Sequence, residues 1–489
     1  MLSVLFRRYR NLGNVANAKT VIGGFLAIAI YIILSLIPSD WYGLPGISDV
    51  ERRMVAIFVT AALLWLSEAV PTWVTSVIII FVMLMTVSDS SLIWFREGDN
   101  VGTLISYKEI LATFSDPVII LFIGGFILAI GVAKVGLDSW MAKVLLYPFG
   151  TRSNMVLLGF ILVTAIFSAF ISNTATAAMM LAFLGPVLRV LPANGKGRTA
   201  LAMAIPLGAN IGGMMTPIGT PPNGIAMKYL NASAAEGGLD MGLTFGDWAV
   251  RMVPITLIVL LIGWIVILWL FPFKDKHIRL EIDSKLKKGY KTWMVAVAFV
   301  LTVIVWFTGA WNGINANVAA FLPIMLLCMT GIISKQDLQS IDWSVLWMVA
   351  GGFALGLGFN KSGLAHDLVN AIPFAEWSPL AVVIGAGLIC WLLSNFISNS
   401  ATAALLVPIL CAVGVGMGDA LAPVGGNLTL LVGIAMAASL AMTLPISTPP
   451  NALAASTGFI TQSDMAKAGF LIGVLGGIVG YLMLIFVFS

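Results

Sequence analysis

Two stretches of this chain are near copies of one another. Residues 170–180 read FISNTATAAMM and residues 396–406 read FISNSATAALL, 226 positions apart. The copying continues on both sides. LFIGGFILAIG (121–131) pairs with MVAGGFALGLG (348–358), its Gly-Gly-Phe triplets offset by 227, and GTPPNGIA (219–226) pairs with STPPNALA (447–454), offset by 228. GDW at 246–248 and SDM at 463–465 each precede the last apolar run of a half. An offset this constant means that whole halves are duplicated, so whatever one half folds into, the other must fold into as well.

Composition decides the solvent for that fold. Hydrophobic residues make up 60% of the chain and charged residues 10%, where a soluble domain carries about 25% charge. Repeated apolar runs of about 17 or more residues need a bilayer. The chain therefore reads as an all-α, polytopic integral membrane protein. The basic N-terminus MLSVLFRRYRNLGNVANAKT is followed by an apolar run over 21–37, which reads as a retained span rather than a signal peptide. Cys328, Cys390 and Cys411 all sit in apolar runs without CxxC spacing and read as small membrane-embedded side chains. The net charge of +4 points to no nucleic-acid partner; its placement is more informative.

Apolar spans are expected near 20–37, 54–70, 72–87, 117–133, 200–230, 248–271, 293–310, 316–333, 344–360, 428–456 and 466–488. Two further apolar stretches, 155–190 and 380–414, hold the polar triplets at their midpoints. Each has room for two helices of roughly 15 residues and reads as a re-entrant hairpin with its tip near the midplane. Non-helical backbone at that depth requires surrounding protein or a cavity. The expectation is eleven transmembrane helices plus two re-entrant hairpins. With the N-terminus cytoplasmic and the C-terminus outside, nineteen of the 26 basic residues fall on the cytoplasmic side, as the positive-inside rule asks. They include Arg7, Arg8, Arg10, Lys19, Lys134, Lys143, Lys335 and the cations of the 274–291 loop. Each half holds five crossings, and an odd number inserts the second half upside down. The resulting inverted-topology repeat places a substrate and ion site at the midplane between the halves. The segments 137–149 and 364–374, which follow spans four and nine, look amphipathic and read as interfacial helices.

The chemistry at the breaks is neutral. His277 and His366 are the two histidines and lie outside the expected spans, and the tips carry no proton relay of ionisable groups. HExxH, facing aspartates and GxSxG are absent, which leaves an enzyme little to work with. Ser168, Ser172, Asn173 and Thr174 surround the first tip; Ser394, Ser398, Asn399 and Ser400 surround the second. Each leading serine precedes its triplet by four positions, one turn back on a helical face. Gly219-Thr220-Pro221-Pro222-Asn223 and Ser447-Thr448-Pro449-Pro450-Asn451 are expected to interrupt helices and free carbonyls. Hydroxyls, amide oxygens and free carbonyls are hard ligands for a hard cation. The N–H groups opening the helices after the triplets suit a carboxylate. The Gly124-Gly125 and Gly351-Gly352 pairs read as close helix packing.

With SNTATAAMM, SNSATAALL, GTPPN and STPPN, the chain resembles the divalent anion/sodium symporter family, transporters of succinate and related dicarboxylates. The resemblance runs over nearly the whole length. It implies a homodimer in the plasma (inner) membrane and an elevator mechanism. The scaffold parts would be 1–150 and 272–376, and the moving transport parts 151–271 and 377–489. It implies Na+ as the coupling ion. One sodium site would use Ser168, Ser172, Asn173 and Gly219; the other would use Ser394, Ser398, Asn399, Ser447 and Pro449. The substrate carboxylates would meet Asn173, Thr174, Thr220, Asn399, Ser400 and Thr448. The family motif has Thr where this chain has Ser400, so sulfate and citrate stay open beside succinate. Sodium-independent anion exchange on the same fold also stays open.

Overall fold

The computed structural model describes residues 15–37, 46–191, 195–278, 286, 289–371 and 376–488. The cytoplasmic charges expected at Arg7, Arg8, Arg10, Arg279, Lys285, Lys287 and Lys288 lie outside those residues, as does the end of the 364–374 segment. The described residues fold as helices, with isolated bridges at Ser88–Ile105 and Arg152–His277. The first half runs α1 (Val15–Leu36), α2 (Asp49–Ser67), α3 (Thr72–Thr86), α4 (Pro117–Lys134), α5 (Leu137–Leu146), α6 (Ser153–Ser168), α7 (Asn173–Val190), α8 (Gly197–Gly212), α9 (Pro221–Asn231) and α10 (Phe245–Leu270). The second half runs α11 (Tyr290–Phe307), α12 (Phe321–Met329), α13 (Trp343–Lys361), α14 (Leu364–Ala371), α15 (Pro379–Ser394), α16 (Asn399–Met417), α17 (Gly426–Leu440), α18 (Pro449–Ser456) and α19 (Gln462–Phe486).

Among the described residues, six helical stretches are long and apolar enough to cross a membrane, and seven shorter apolar helices accompany them. The two stretches with polar triplets are each two helices joined by a four-residue break, at 169–172 and 395–398. The outgoing arm of the second pair continues through a 3-10 turn to Val424, past the expected end at 414, and stops where Gly425 takes a left-handed φ of 85°. The expected spans 200–230 and 428–456 are likewise each two helices with an unwound middle, at 216–220 and 441–448. Prolines begin the second piece in both, at the first two helical positions, where the missing N–H has no partner to lose. The GDW and SDM landmarks are capping boxes. Thr244 and Asp247 cap α10 with bonds of 2.9 and 3.1 Å, and Thr461 and Asp464 cap α19 with bonds of 3.3 and 3.1 Å.

The chain divides into two compact units: Met1–Phe114 with Trp347–Ile372, and Ser115–Leu346 with Pro373–Ser489. In the first, α1 packs on α2 and α2 on α3. Arg53 there donates to Thr86 O at 3.1 Å and Phe95 O at 2.9 Å. A Cβ on Gly351 would collide with Ser76 of α3, so the glycine lets the two backbones touch. In the second unit the same device recurs: a Cβ on Gly124 of α4 would stand 2.6 Å from Ala320 O. One glycine of each pair, Gly124 and Gly351, thus does the packing work read from the sequence.

Packing in the second unit repeats when the halves are exchanged. α6 packs on α8 as α15 packs on α17. α8 meets α10 as α17 meets α19, and α10 and α19 meet each other. The second pieces of the broken helices cross over: α9 lies against α16, and α18 lies against α7. The outgoing arm of each hairpin therefore lies against the second piece of the other half's broken helix.

Candidate functional site

At the first tip, α6 ends at Ser168 and α7 begins at Asn173, with Ser172 as its N-cap accepting from Ala175 N at 3.3 Å. Ser168 is therefore not one helical turn before Ser172 on a common face, as the four-residue spacing suggested. The helix stops at Ser168 because the chain turns there, and the turn brings it to Asn173 by a different route. The Asn173 amide ends against Ser168 Oγ at 2.6 Å, Gly219 O at 3.1 Å and Ala209 O at 3.2 Å. Ser168 Oγ also donates to Ala209 O at 2.7 Å. With its NH₂ inward, the amide serves three oxygens. With its oxygen inward, it joins Ser168 Oγ, Gly219 O and Ala209 O in a cluster of four oxygens, the donor types that suit a hard cation. Glycine is required around it: a Cβ on Gly213 would stand 2.7 Å from the Asn173 amide, and one on Gly219 would collide with Gly213 O.

The second tip repeats the frame with different details. α15 ends at Ser394, and Ser398 caps α16 by accepting from Ala401 N at 3.3 Å. Asn399 Oδ1 is buried and has no hydrogen-bond partner among the described residues, and the buried Ser394 Oγ has only the Cys390 thiol, a weak partner, beside it. Buried oxygens so poorly served are costly unless something binds them, and a hard cation fits both. Ser447 is 2% exposed and donates to Asn395 O at 3.0 Å, which draws the second break onto the second tip. Pro449 is exposed and opens α18.

The expected substrate contacts divide by burial. Thr220 and Thr448 are buried at the N-caps of α9 and α18. Thr448 Oγ1 accepts from Asn451 N at 3.3 Å, whereas the Thr220 side chain makes no cap bond. Thr174 is exposed and Ser400 half-buried, each one residue into its helix. No Lys or Arg occurs among these residues, so an anion here is met by hydroxyls, amides and helix-opening N–H groups.

Sequence reasoning missed the amides that hold the breaks in shape. Asn223 Nδ2 donates to Gly213 O at 2.9 Å and Thr216 O at 2.8 Å. Asn451 Nδ2 donates to Met442 O and Leu444 O, both at 2.9 Å. Each repays carbonyls that unwinding released. Asn210 Nδ2 then donates to Asn451 Oδ1 at 2.9 Å, joining the break of one half to that of the other. Asn395 Oδ1 accepts from Thr443 N at 2.9 Å. The final Asn of each PPN was a visible signal for the first two. Asn395 stands where the first copy has Ala169, a difference that an alignment of the two halves exposes.

Residues 62–425 match the citrate transporter family, CitMHS. A sodium-dependent dicarboxylate transporter, SdcS, of Staphylococcus saprophyticus is 29% identical, over 90% of this chain and 87% of its own. SdcS of Staphylococcus aureus is 27% identical, over 89% and 85%. An uncharacterised transporter of Haemophilus influenzae is 31% identical, over 95% and 97%. Among solved structures, MtrF of Neisseria gonorrhoeae superposes with a TM-score of 0.56 at 16% identity, over 88% of this chain and 98% of its own. YdaH of Alcanivorax borkumensis gives 0.53 at 12%, over 85% and 98%. At these identities the two structures speak for the fold alone. The chain belongs to the citrate transporter family, and with it to the divalent anion/sodium symporters that its doubled tips resemble: it is a multi-pass membrane transporter and not an enzyme.

Proposed function

We propose that this protein imports C4-dicarboxylates of the succinate class, driven by a sodium gradient. The observation that carries the reading is the pair of oxygen clusters at the tips. Asn173 faces Ser168, Ala209 and Gly219 oxygens at 2.6–3.2 Å, and at the second tip Asn399 Oδ1 lies buried without a partner among the described residues, near a buried Ser394 Oγ with only a thiol beside it. The names of the staphylococcal relatives support the choice of sodium and of a dicarboxylate. Sodium would be held by Ser168, Ser172, Asn173 and Gly219 at one tip, and by Ser394, Ser398, Asn399, Ser447 and Pro449 at the other. Each bound cation supplies positive charge where no Lys or Arg stands, so the dianion would bind after it. The carboxylates would then meet Asn173, Thr174 and Thr220 from one half and Asn399, Ser400 and Thr448 from the other.

The protein's own residues set the geometry for this. Ser172 and Ser398 fix where α7 and α16 begin, and hence where their first N–H groups point. Asn223 and Asn451 keep the unwound segments from recoiling. Movement across the membrane would be an elevator step of 151–271 and 377–489 against a scaffold of 1–150 and 272–376. The protein would act as a homodimer in the plasma membrane with its N-terminus cytoplasmic. Citrate is the second reading, favoured by the description of the matching family.

Labelled succinate uptake into proteoliposomes tests both readings. Uptake should need an inward sodium gradient and should be competed by unlabelled succinate more strongly than by citrate. Equal uptake with choline in place of sodium would establish exchange instead. Stronger competition by citrate would move the substrate assignment.

A further inference from the structure

A cavity of about 300 Å³ lies beside the first tip, within the second compact unit. One wall is the apolar face of α4. The others carry Asp138 at the start of α5, Ser340 and Asp342 just before α13, and Ser172 and Thr176 of the tip. No Lys, Arg or His lines it among the described residues. Asp138 Oδ1 accepts from Ser139 N at 2.6 Å and Asp342 Oδ1 from Val345 N at 3.3 Å, so both carboxylates are fixed in place.

Thr176 is the telling residue. It is fully buried, and its Oγ1 has no hydrogen-bond partner among the described residues. A helical threonine ordinarily bonds the carbonyl four residues back. Its repeat counterpart Thr402 does so, donating to Ser398 O at 3.3 Å. In the first half, Ser172 O accepts only the Thr176 N–H, at 3.0 Å, in the same register. The two halves therefore differ at this hydroxyl, and in the first half it borders a cavity with two carboxylates.

We infer that this cavity is a binding site for a monovalent hard cation, a sodium waypoint on the release path from the first tip, in which Thr176 Oγ1 takes the ion from Ser172 and Asp138 and Asp342 receive it. Carboxylate and hydroxyl oxygens suit sodium, and two negative charges turn a dicarboxylate away. Cation and anion would thus leave the first tip by different routes. The positive-inside assignment of the neighbouring Lys134 and Lys335 puts this route on the cytoplasmic side. The inference rests on the sodium-coupled reading of the tips.

The test is direct binding of ²²Na⁺ to purified full-length protein without dicarboxylate. Thr176→Val keeps the side-chain shape and removes the oxygen. It should raise half-saturating sodium roughly five- to tenfold, the scale of one lost polar ligand. The double variant Asp138→Asn with Asp342→Asn, in which both caps can still accept, should do the same. Thr176→Ser should restore wild-type binding, and Thr402→Val should leave it within about twofold. Should Thr176→Val fail to fold, the aspartate pair and Thr176→Ser carry the comparison. Wild-type half-saturation in the aspartate pair and in folded Thr176→Val would overturn the cavity site alone. A wild-type protein that takes up succinate yet binds no sodium would overturn the sodium reading of the tips, and this inference with it.

Discussion

Asn173 and Asn399 occupy equivalent places in the two halves, and each carries an amide that can face a cation with oxygen and a carboxylate with nitrogen. Asn→Ala at either position should reduce sodium-driven succinate uptake to the level of empty liposomes, while insertion and thermal stability stay near wild type. Uptake at half the wild-type rate or better from either variant would remove that tip from the site. These residues were legible because a polar triplet in apolar sequence has to be accounted for, and two triplets in register leave little room for accident. Ala209 was not legible. It contributes through its backbone carbonyl, which lies 3.2 Å from the Asn173 amide, and a carbonyl has no letter in a sequence. Asn210 was hidden for another reason: the second half carries no asparagine at the matching place, so the repeat could not point to it.

At the scale of elements, hydropathy located the apolar stretches well and their interruptions less well. A run such as 200–230 reads as continuous because the unwound segment Thr216–Thr220 is short, carries no charge and is flanked by long apolar stretches; Thr-Pro and Gly-Thr-Pro-Pro mark it. The outgoing arm of the second pair overran its expected end because its α-helix runs to Met417 and then tightens into a 3-10 turn that lasts to Val424. Element ends at the surface are set by electrostatics instead. The end of α4 is tied by Lys134, whose Nζ lies 2.5 Å from Asp337 Oδ2. Lys134, together with the Ser334 hydroxyl and amide, holds the Asp337 carboxyl down at about 2. A carboxyl lowered in the folded state stabilises wherever it is ionised, and that contribution disappears as acid protonates it. Asp337→Asn should lower the thermal midpoint by roughly 1–2 °C, since the pair is partly exposed. The gap from wild type should be constant from pH 8 to about 5 and close between about 4 and 2. A gap that widened in acid would show that another group carries the effect.

At the scale of the whole chain, duplication is the organising fact. It explains why packing survives an exchange of halves, and why the outgoing arm of each hairpin lies against a broken helix of the other half. The departures from symmetry then become informative, since the fold itself does not require them. The bond from Asn210 Nδ2 to Asn451 Oδ1 is one such departure. Asn451 shapes the second break, and Asn210 is next in sequence to Ala209, whose carbonyl belongs to the first oxygen cluster. On the proposed function, a cation that draws Ala209 inward would pull on the amide that shapes the second break. Occupancy at one end would then become affinity at the other, and by linkage the reverse would hold equally. Sodium activation of uptake should then be sigmoidal in the wild type. Asn210→Ala, which cuts the tie but leaves every cation ligand in place, should bring the Hill coefficient down toward one. A curve equally steep in both proteins would mean that the two cages fill without regard to each other. Steepness converts a modest change in sodium into a large change in flux, so a single amide between two breaks would let the transporter behave as a threshold device.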